Sequence, residues 1–477
     1  MRICILAEGC YPYVAGGVSS WIQMLIKGMP EHEFVIVAIG AQESQRGKFK
    51  YEIPENVTEI IEYFLDTYEK ISAKPNNRIS ISEVQKKTFL KFLQGESFDW
   101  KVLFDMFGEE SPYEANQFLE SEAFLDIVME AAEGYYLNTP FTDTFWTLRS
   151  MLLPVLNLLK CPAPRADIYH SVATGYAGVL AAKFRYRAGS PFILTEHGIY
   201  TREREEEILK ADWVNVYFKQ TWIDFFHSLC MAAYESADRI VSLFYGARRT
   251  QIALGAPEEK CSVIPNGINM ERFAHIREIP EETHPLSIGA VIRVVPIKDI
   301  KTMIYSFSIV KQERPDALLY LIGPYDEDPE YYDECLELIE NLQTKDIVFT
   351  GRVNVAEWFG RLDLVILTSV SEGQPFVLLE AMASRRPVLS TNVGSCQEII
   401  EGFPDEFGKA GEIAPVMNPS GIARGILKIG KDVKTMRAYA ENGNARVRKY
   451  YQESDFLTRY RILYEEVGRE WQESGLH

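Results

Sequence analysis

Apolar residues recur along this chain in two alternating rhythms, one suited to helices and one to buried strands. The opening reads strand, loop, helix, strand: "RICILAE", "GCYPYVAGG", "VSSWIQMLIKGM" and "FVIVAIG". Val18, Trp21, Ile22, Leu25 and Ile26 fall three or four residues apart, on one helix face. The strands are unbroken apolar runs, as expected where both faces of a parallel sheet are covered. The rhythm resumes near residue 167 with "DIYHSV", a helix around "GYAGVLAAKFRYR", and "FILTEHG". One long helix to Ser236, the strand "RIVSLF" and a further helix follow.

Between about residues 42 and 165 the alternation stops. "FLKFLQGESFDWKVLFDMFG", "ANQFLESEAFLDIVMEAA" and "FTDTFWTLRSMLLPVLNLLK" are three aromatic-rich helical patterns with no strands between them, which predicts a helical insertion. A second series begins after "CSVIPNGIN", with strands at "LSIGAVI", "ALLYLIG", "DIVFTG", "DLVILTS" and "PVLST". A last amphipathic helix is written in "ESDFLTRYRILYEEVGREWQ". The fold class is therefore α/β, with two doubly wound Rossmann-like domains. The first spans 1–268 and carries the insertion, the second spans 269–452, and the helical segment 453–477 packs back on the first. With 477 residues the chain is long enough for two cores.

Charge narrows the partners. Lys and Arg number 50 against 68 Asp and Glu, a formal net charge of -18, which argues against nucleic acid or anionic membrane as a partner of the bulk surface. The seven cysteines (Cys4, Cys10, Cys161, Cys230, Cys261, Cys335, Cys396) contain no CxxC pair and read as reduced thiols. "MRICILAEGC" breaks at Glu8, too early for a leader, and no apolar run reaches the roughly 18 residues that span a bilayer. The expected location is cytoplasmic, with room for a peripheral position at the inner face of the membrane.

The densest chemistry lies in "TSVSEGQPFVLLEAMASRRPVLS", residues 368–390. Glu372 falls in the loop after a strand, Pro375 suits the first position of a helix, and Glu380 lies inside that helix. Amides of Gly373, Gln374 and Phe376 at the helix start could hold an anion, and Gly373 lets it approach the backbone. Alone, such a carboxylate pair is more often a helix cap with a solvated glutamate. Arg293 and Lys298, in "RVVPIKDI" after another strand, add two cations suited to a diphosphate. The acidic run "DED" at 326–328 reads as solvated side chains in a polar loop, and a metal site is not expected.

Taken in order, "PNGIN", "GRV", "EGQPFVLLEAMA" and "NVGSCQEII" resemble the retaining glycosyltransferases of family 4, which have the GT-B fold of two facing Rossmann-like domains. "HGIYTRERE", "FTGRVNVAEW" and "VGSCQEI" resemble the PelF-like members, which act in Pel exopolysaccharide synthesis and carry a helical insertion at this place. The resemblance implies that Glu380 bonds the ribose of a uridine nucleotide, that Arg293 and Lys298 hold its diphosphate, and that the backbone near Val353 meets the uracil. Glu372 and the amides of 373–376, Pro375 included in that turn, would hold the donor sugar. Gly16 and Gly17 match the glycine-rich loop facing the phosphates, and His197 in "TEHG" matches a histidine lining the sugar pocket. The usual glycine after "EAMA" is absent here, since Ser384, Arg385 and Arg386 follow, so that helix needs another C-terminal cap.

The expected reaction is retaining transfer from a UDP-sugar (a UDP-N-acetylhexosamine or UDP-glucose) to a growing glycan, with no cofactor beyond the donor and no metal. A UDP-sugar epimerase of the same architecture and a non-catalytic nucleotide-sugar-binding subunit are the competing readings. A dehydrogenase is disfavoured because no G-x-G-x-x-G occurs. The aromatic residues of the insertion (Phe98, Trp100, Phe104, Phe107, Phe118, Phe124, Phe145, Trp146) exceed what a small helical layer needs, so residues 82–160 are expected to dock on a membrane-embedded partner.

Overall fold

The computed structural model describes residues 1–70, 79–282, 284–402 and 407–473. Residues 71–78 of the expected insertion, 283 and 403–406 of the expected second domain, and 474–477 of the C-terminal segment lie outside the described residues. The chain divides into two units: residues 1–242, 248–263 and 460–477 form the first, and 243–247 with 264–459 the second. The helix Glu453–Glu473 thus contributes its turns from Tyr460 onward to the first unit.

The first unit is built on seven strands, β1 (Arg2–Glu8), β2 (Glu33–Gly40), β3 (Val57–Phe64), β4 (Ile168–Ser171), β5 (Phe192–Glu196), β6 (Arg239–Ser242) and β7 (Cys261–Val263). They pair in the order β3-β2-β1-β4-β5-β6-β7, all parallel. In β2 every residue after Glu33 is buried, which is why its seven residues can all be small or apolar. β3 corrects the expectation that 42–165 holds no strand. As the edge of the sheet it is only half covered, and Glu59 and Glu62 interrupt the apolar run that marked the other strands.

Among the described residues the insertion has five α-helices rather than three: Glu83–Leu93, Trp100–Met106, Ala115–Leu119, Glu122–Gly134 and Phe141–Leu158. Asp99 and Ser121 accept bonds from Lys101 and Phe124 amides and start new helices within the first two patterns. The single long helix expected before Ser236 is likewise two, Tyr200–Lys210 and Lys219–Ser236. Between them Ala211 is extended and Asn215 Oδ1 takes the Tyr217 amide at 3.2 Å, so a polar side chain redirects the chain.

The surplus of aromatics in the insertion is not a surface. Trp100, Phe104, Phe107, Phe118 and Phe124 are buried, Phe98 and Phe145 are partly so, and of the eight only Trp146 is well exposed, at 57%. Phe92 stacks on Phe225 of the helix Lys219–Ser236 with centroids 5.5 Å apart, and Phe89 stacks on Phe118 at 4.9 Å. The insertion shares the core of its unit instead of supplying its own, and that shared core absorbs the rings. Of the eight predicted rings Trp146 remains exposed for docking, as do Tyr135, Leu137 and Phe141 outside that set.

The second unit has six parallel strands, β8 (Ser287–Val291), β9 (Leu318–Ile322), β10 (Ile347–Gly351), β11 (Leu364–Leu367), β12 (Val388–Thr391) and β13 (Gly411–Ala414). Their order is β10-β9-β8-β11-β12-β13, so the chain reverses its direction of winding between β8 and β11. The short edge strand β13 carries no apolar signal of its own beyond Ile413 and is placed by pairing with β12. Among the described residues no helix is long and apolar enough to cross a membrane.

The missing glycine after "EAMA" is replaced by three side chains acting together. Arg385 takes the left-handed conformation at φ 52° that a glycine would favour. Ser384 Oγ donates to the Glu380 carbonyl at 2.7 Å, and the buried Arg386 guanidinium donates to the carbonyls of Phe359, Arg277, Ser384 and Arg385. Left-handed backbone costs an L-residue about 1–2 kcal/mol, whereas glycine costs roughly 0.5–1 kcal/mol in chain freedom. Arg385→Gly is therefore expected to raise stability by about 0.5 kcal/mol, read as a higher urea midpoint with an unchanged m-value.

Candidate active site

Strand order selects the place. In an open parallel sheet, loops on the carboxyl ends of the two strands flanking a reversal part to leave a crevice. In the second unit those are the loops after β8 and β11, which carry Arg293, Lys298 and Glu372. The two loops are sewn together: the Val370 amide donates to the Ile297 carbonyl at 3.0 Å, and Thr368 Oγ1 donates to the carbonyls of Lys298 and Asp299 at 2.8 and 3.1 Å.

Glu372 and Lys298 meet directly. Glu372 Oε1 accepts from Lys298 Nζ at 2.5 Å and from Ser369 Oγ at 2.6 Å, and both charged side chains are largely enclosed. The pairing places a cation and a carboxylate side by side, one suited to phosphate oxygens and the other to sugar hydroxyls. Glu372 is in turn held from behind by the "NVGS" loop. Ser395 donates its amide to the Gly373 carbonyl at 2.9 Å, and Gly394 adopts φ 52° so close that a Cβ would lie 2.2 Å from the Glu372 carbonyl oxygen.

Arg293, in the same β8 loop, donates through Nη1 to Glu327 Oε2 at 2.8 Å. Arg293 and Lys298 line a cleft of about 470 Å³ with Val291, Ile292, Ile322, Gly323, Pro324, Arg352, Val353 and Val355. Val353, singled out in the sequence, is therefore in the same cleft as the two cations. Gly323, at φ 140°, is required there because a Cβ would meet the Ile292 carbonyl oxygen at 2.0 Å.

The turn 373–376 is more divided than the sequence suggested. Gln374 is buried, and its Oε1 accepts the Asn266 amide at 2.6 Å, so this side chain fastens the "PNG" turn and is not presented to a ligand. Pro375 is the residue before the helix Phe376–Ala383 rather than its first residue, with an extended backbone, and Phe376 packs against the unit's core. Glu380, on that helix, is half-buried, and burial pushes its carboxyl up to about 7 while the charge of Arg272 pulls it back. Hydroxyl donors bonded to a buried carboxylate stabilise its charged form.

This gives a pH-dependent expectation. A carboxyl whose folded pKa is raised from 4.5 to about 7 leaves stability untouched below 4.5 and costs progressively more as pH rises to 7, with the full cost above. Glu380→Gln is expected to stabilise the protein by about 1–2 kcal/mol at pH 8, discounted for partial exposure, and by nothing at pH 4.5. Thermal melts of the variant and the parent at the two pH values check it.

The first unit holds the remaining candidates. His197 follows β5, half-buried, with burial pressing its pKa down to about 3, so the ring is neutral. Trp21 packs edge-on against it at 4.7 Å, and its Nε2 is enclosed without a hydrogen-bond partner among the described residues. Behind it His170 is saturated, with Nδ1 on Tyr464 Oη at 2.7 Å and Nε2 on Thr195 Oγ1 at 2.8 Å. His197 is thus the histidine of this pair with capacity to bond something else. Gly16 and Gly17 open the helix Gly17–Lys27, and a Cβ on either would meet no protein atom within 4 Å. Neither packing nor a positive φ demands glycine at these two positions.

The sequence missed Ile292, Gly323, Arg352 and Gly394. "GRV" and "NVGS" stood out as motifs, but Arg352 is placed by its side-chain contacts with Asp326 and Glu327 and Gly394 by close backbone approach, neither of which spacing reports.

Residues 1–259 match the family described as Domain of unknown function (DUF3492), and residues 285–432 match Glycosyl transferases group 1. Among curated relatives, N-acetyl-alpha-D-glucosaminyl L-malate synthase of Bacillus anthracis is 30% identical over 176 residues, covering 36% of this chain and 44% of that protein. The MMP alpha-(1->4)-mannosyltransferase of Mycolicibacterium hassiacum is 22% identical over 349 residues, 72% of this chain and 79% of its own. The solved structure of Anabaena HepE in complex with UDP shares the fold at a TM-score of 0.62 and 14% identity, covering 98% of this chain and all of that one. Sucrose-phosphate synthase from Thermosynechococcus elongatus does so at 0.61, also with 14% identity, covering 98% and 99%. The chain belongs to the DUF3492 family, joined to a group 1 glycosyl transferase domain in the two-Rossmann architecture of GT-B glycosyltransferases.

Proposed function

We propose that this glycosyltransferase moves a sugar from a UDP-sugar, with retention at the anomeric carbon, to a growing exopolysaccharide of the Pel type in the cytoplasm. The observation that supports it best is the meeting of Lys298 with Glu372 at the sheet reversal, beside a cleft that also holds Arg293 and Val353. In this reading Glu380 accepts the ribose hydroxyls, the backbone at Val353 meets the uracil, and Arg293 and Lys298 take the diphosphate. As the bond from the anomeric carbon to the β-phosphate oxygen breaks, its electron pair passes to that oxygen, where the two cations stabilise the new charge. The acceptor hydroxyl bonds to the same face, and its proton goes to a phosphate oxygen. Glu372 positions the donor sugar, and no metal is needed.

HepE is described in complex with UDP and with UDP-glucose, and the Bacillus anthracis relative is named a synthase of N-acetyl-alpha-D-glucosaminyl L-malate. A UDP-N-acetylhexosamine or UDP-glucose is accordingly the proposed donor. Docking on a membrane-embedded synthesis complex would fall to exposed side chains such as Trp146, not to the buried rings of the insertion.

The test is a panel of UDP-sugars incubated with and without a hexosamine oligosaccharide, in EDTA, with UDP release and sugar product followed by chromatography. Acceptor-dependent UDP release with an α-linked product is expected. Conversion of donor without acceptor would indicate an epimerase, and UDP binding with no consumption of any donor would indicate a silent subunit.

A further inference from the structure

The acidic run 326–328 does three different things. Asp328 Oδ1 accepts the Tyr331 amide at 3.1 Å and caps the helix Pro329–Asn341. Asp326 faces Arg352 at 3.6 Å. Glu327 stands between two guanidiniums, 2.8 Å from Arg293 and 3.9 Å from Arg352, and both arginines line the cleft. The loop bearing it is fixed at its root. The Pro324 carbonyl accepts the Val294 amide at 2.9 Å, and Tyr325 stacks on Tyr332 with centroids 4.7 Å apart. Glu327 is therefore brought to Arg293 by the backbone and is not a side chain that drifts there.

The geometry points to Glu327 as an internal competitor with the donor diphosphate for Arg293: its carboxylate already offsets part of the charge that Arg293 would offer a nucleotide. This rests on the assignment of Arg293 to the diphosphate. A guanidinium has donors enough for Glu327 and a phosphate oxygen together, so the competition is one of charge: the carboxylate 2.8 Å away offsets the cation that would otherwise face the diphosphate alone. The pair is solvent-facing, with side-chain exposures of 52% for Arg293 and 34% for Glu327, so it is weak enough to be displaced. A weak competitor lowers affinity without blocking the site, and it does so for the UDP product as well as for the donor.

Glu327→Gln keeps the side chain's size, removes its charge and, at this exposure, leaves folding intact. It is expected to tighten UDP binding roughly two- to five-fold by calorimetry, the range set by exposed ion pairs. Uridine, which has no phosphate, should bind equally to both proteins. Arg293→Ala should weaken UDP, and adding Glu327→Gln to it should give no gain. If Arg293→Ala leaves UDP affinity unchanged, the diphosphate assignment itself falls, and the competitor with it. If Arg293→Ala weakens UDP while Glu327→Gln fails to tighten it, or tightens uridine equally, or still tightens UDP without Arg293, the competitor alone is overturned.

Discussion

Lys298→Ala is expected to lower transferase turnover by about 10²–10³-fold, the range for deleting one preorganised charge from a developing anion. Two losses coincide in this variant. The leaving diphosphate loses a cation, and Glu372 loses the ammonium 2.5 Å from its Oε1. Because the Glu372 side chain is only 13% exposed, an unpaired carboxylate there also disturbs the sugar-binding turn. Lys298→Arg keeps the charge with a broader, planar head and should recover only part of the rate. Steady-state kinetics by UDP release distinguish these results. Wild-type turnover in a folded Lys298→Ala protein would remove the residue from the leaving-group site.

Gly394→Ala is expected to destabilise the second unit by roughly 3 kcal/mol, combining left-handed strain with overpacking. The new methyl would lie 2.2 Å from the Glu372 carbonyl oxygen and 2.3 Å from that of Gly373, both backbone atoms that cannot rotate away. The turn must therefore shift, carrying Glu372 from Lys298. A urea midpoint lowered together with UDP affinity is the expected result. Unchanged stability would show that the "NVGS" loop does not clasp the "EGQP" turn.

Most of the strands were legible because a parallel sheet buries both faces, so the cores of β1 and β2 are written as unbroken apolar runs. The edges were not. β3 carries Glu59 and Glu62, and β13 is four residues long, since half-covered strands need no continuous hydrophobicity. The insertion misled in the opposite direction. Its aromatic content is a property of composition, but whether a ring faces water or Phe225 depends on a helix more than a hundred residues away.

At the site, the residue types were readable and their engagement was not. Glu372, Lys298 and Arg293 sit at strand ends, so their convergence followed from the order of elements. Gln374 was expected to offer its backbone amide to an anion; what the sequence did not tell is that its side chain bonds Asn266 across 108 residues. By itself the sequence determined the two α/β series, the loops that bear the charges and the helix that bears Glu380, because these follow from local periodicity and polarity. Only the tertiary structure decided which of those charges meet: Lys298 with Glu372, Arg293 with Glu327, and Arg385 in the conformation left open by an absent glycine. Ion pairs and close backbone approaches are set by three-dimensional distance between segments far apart in sequence, and no local pattern encodes that distance.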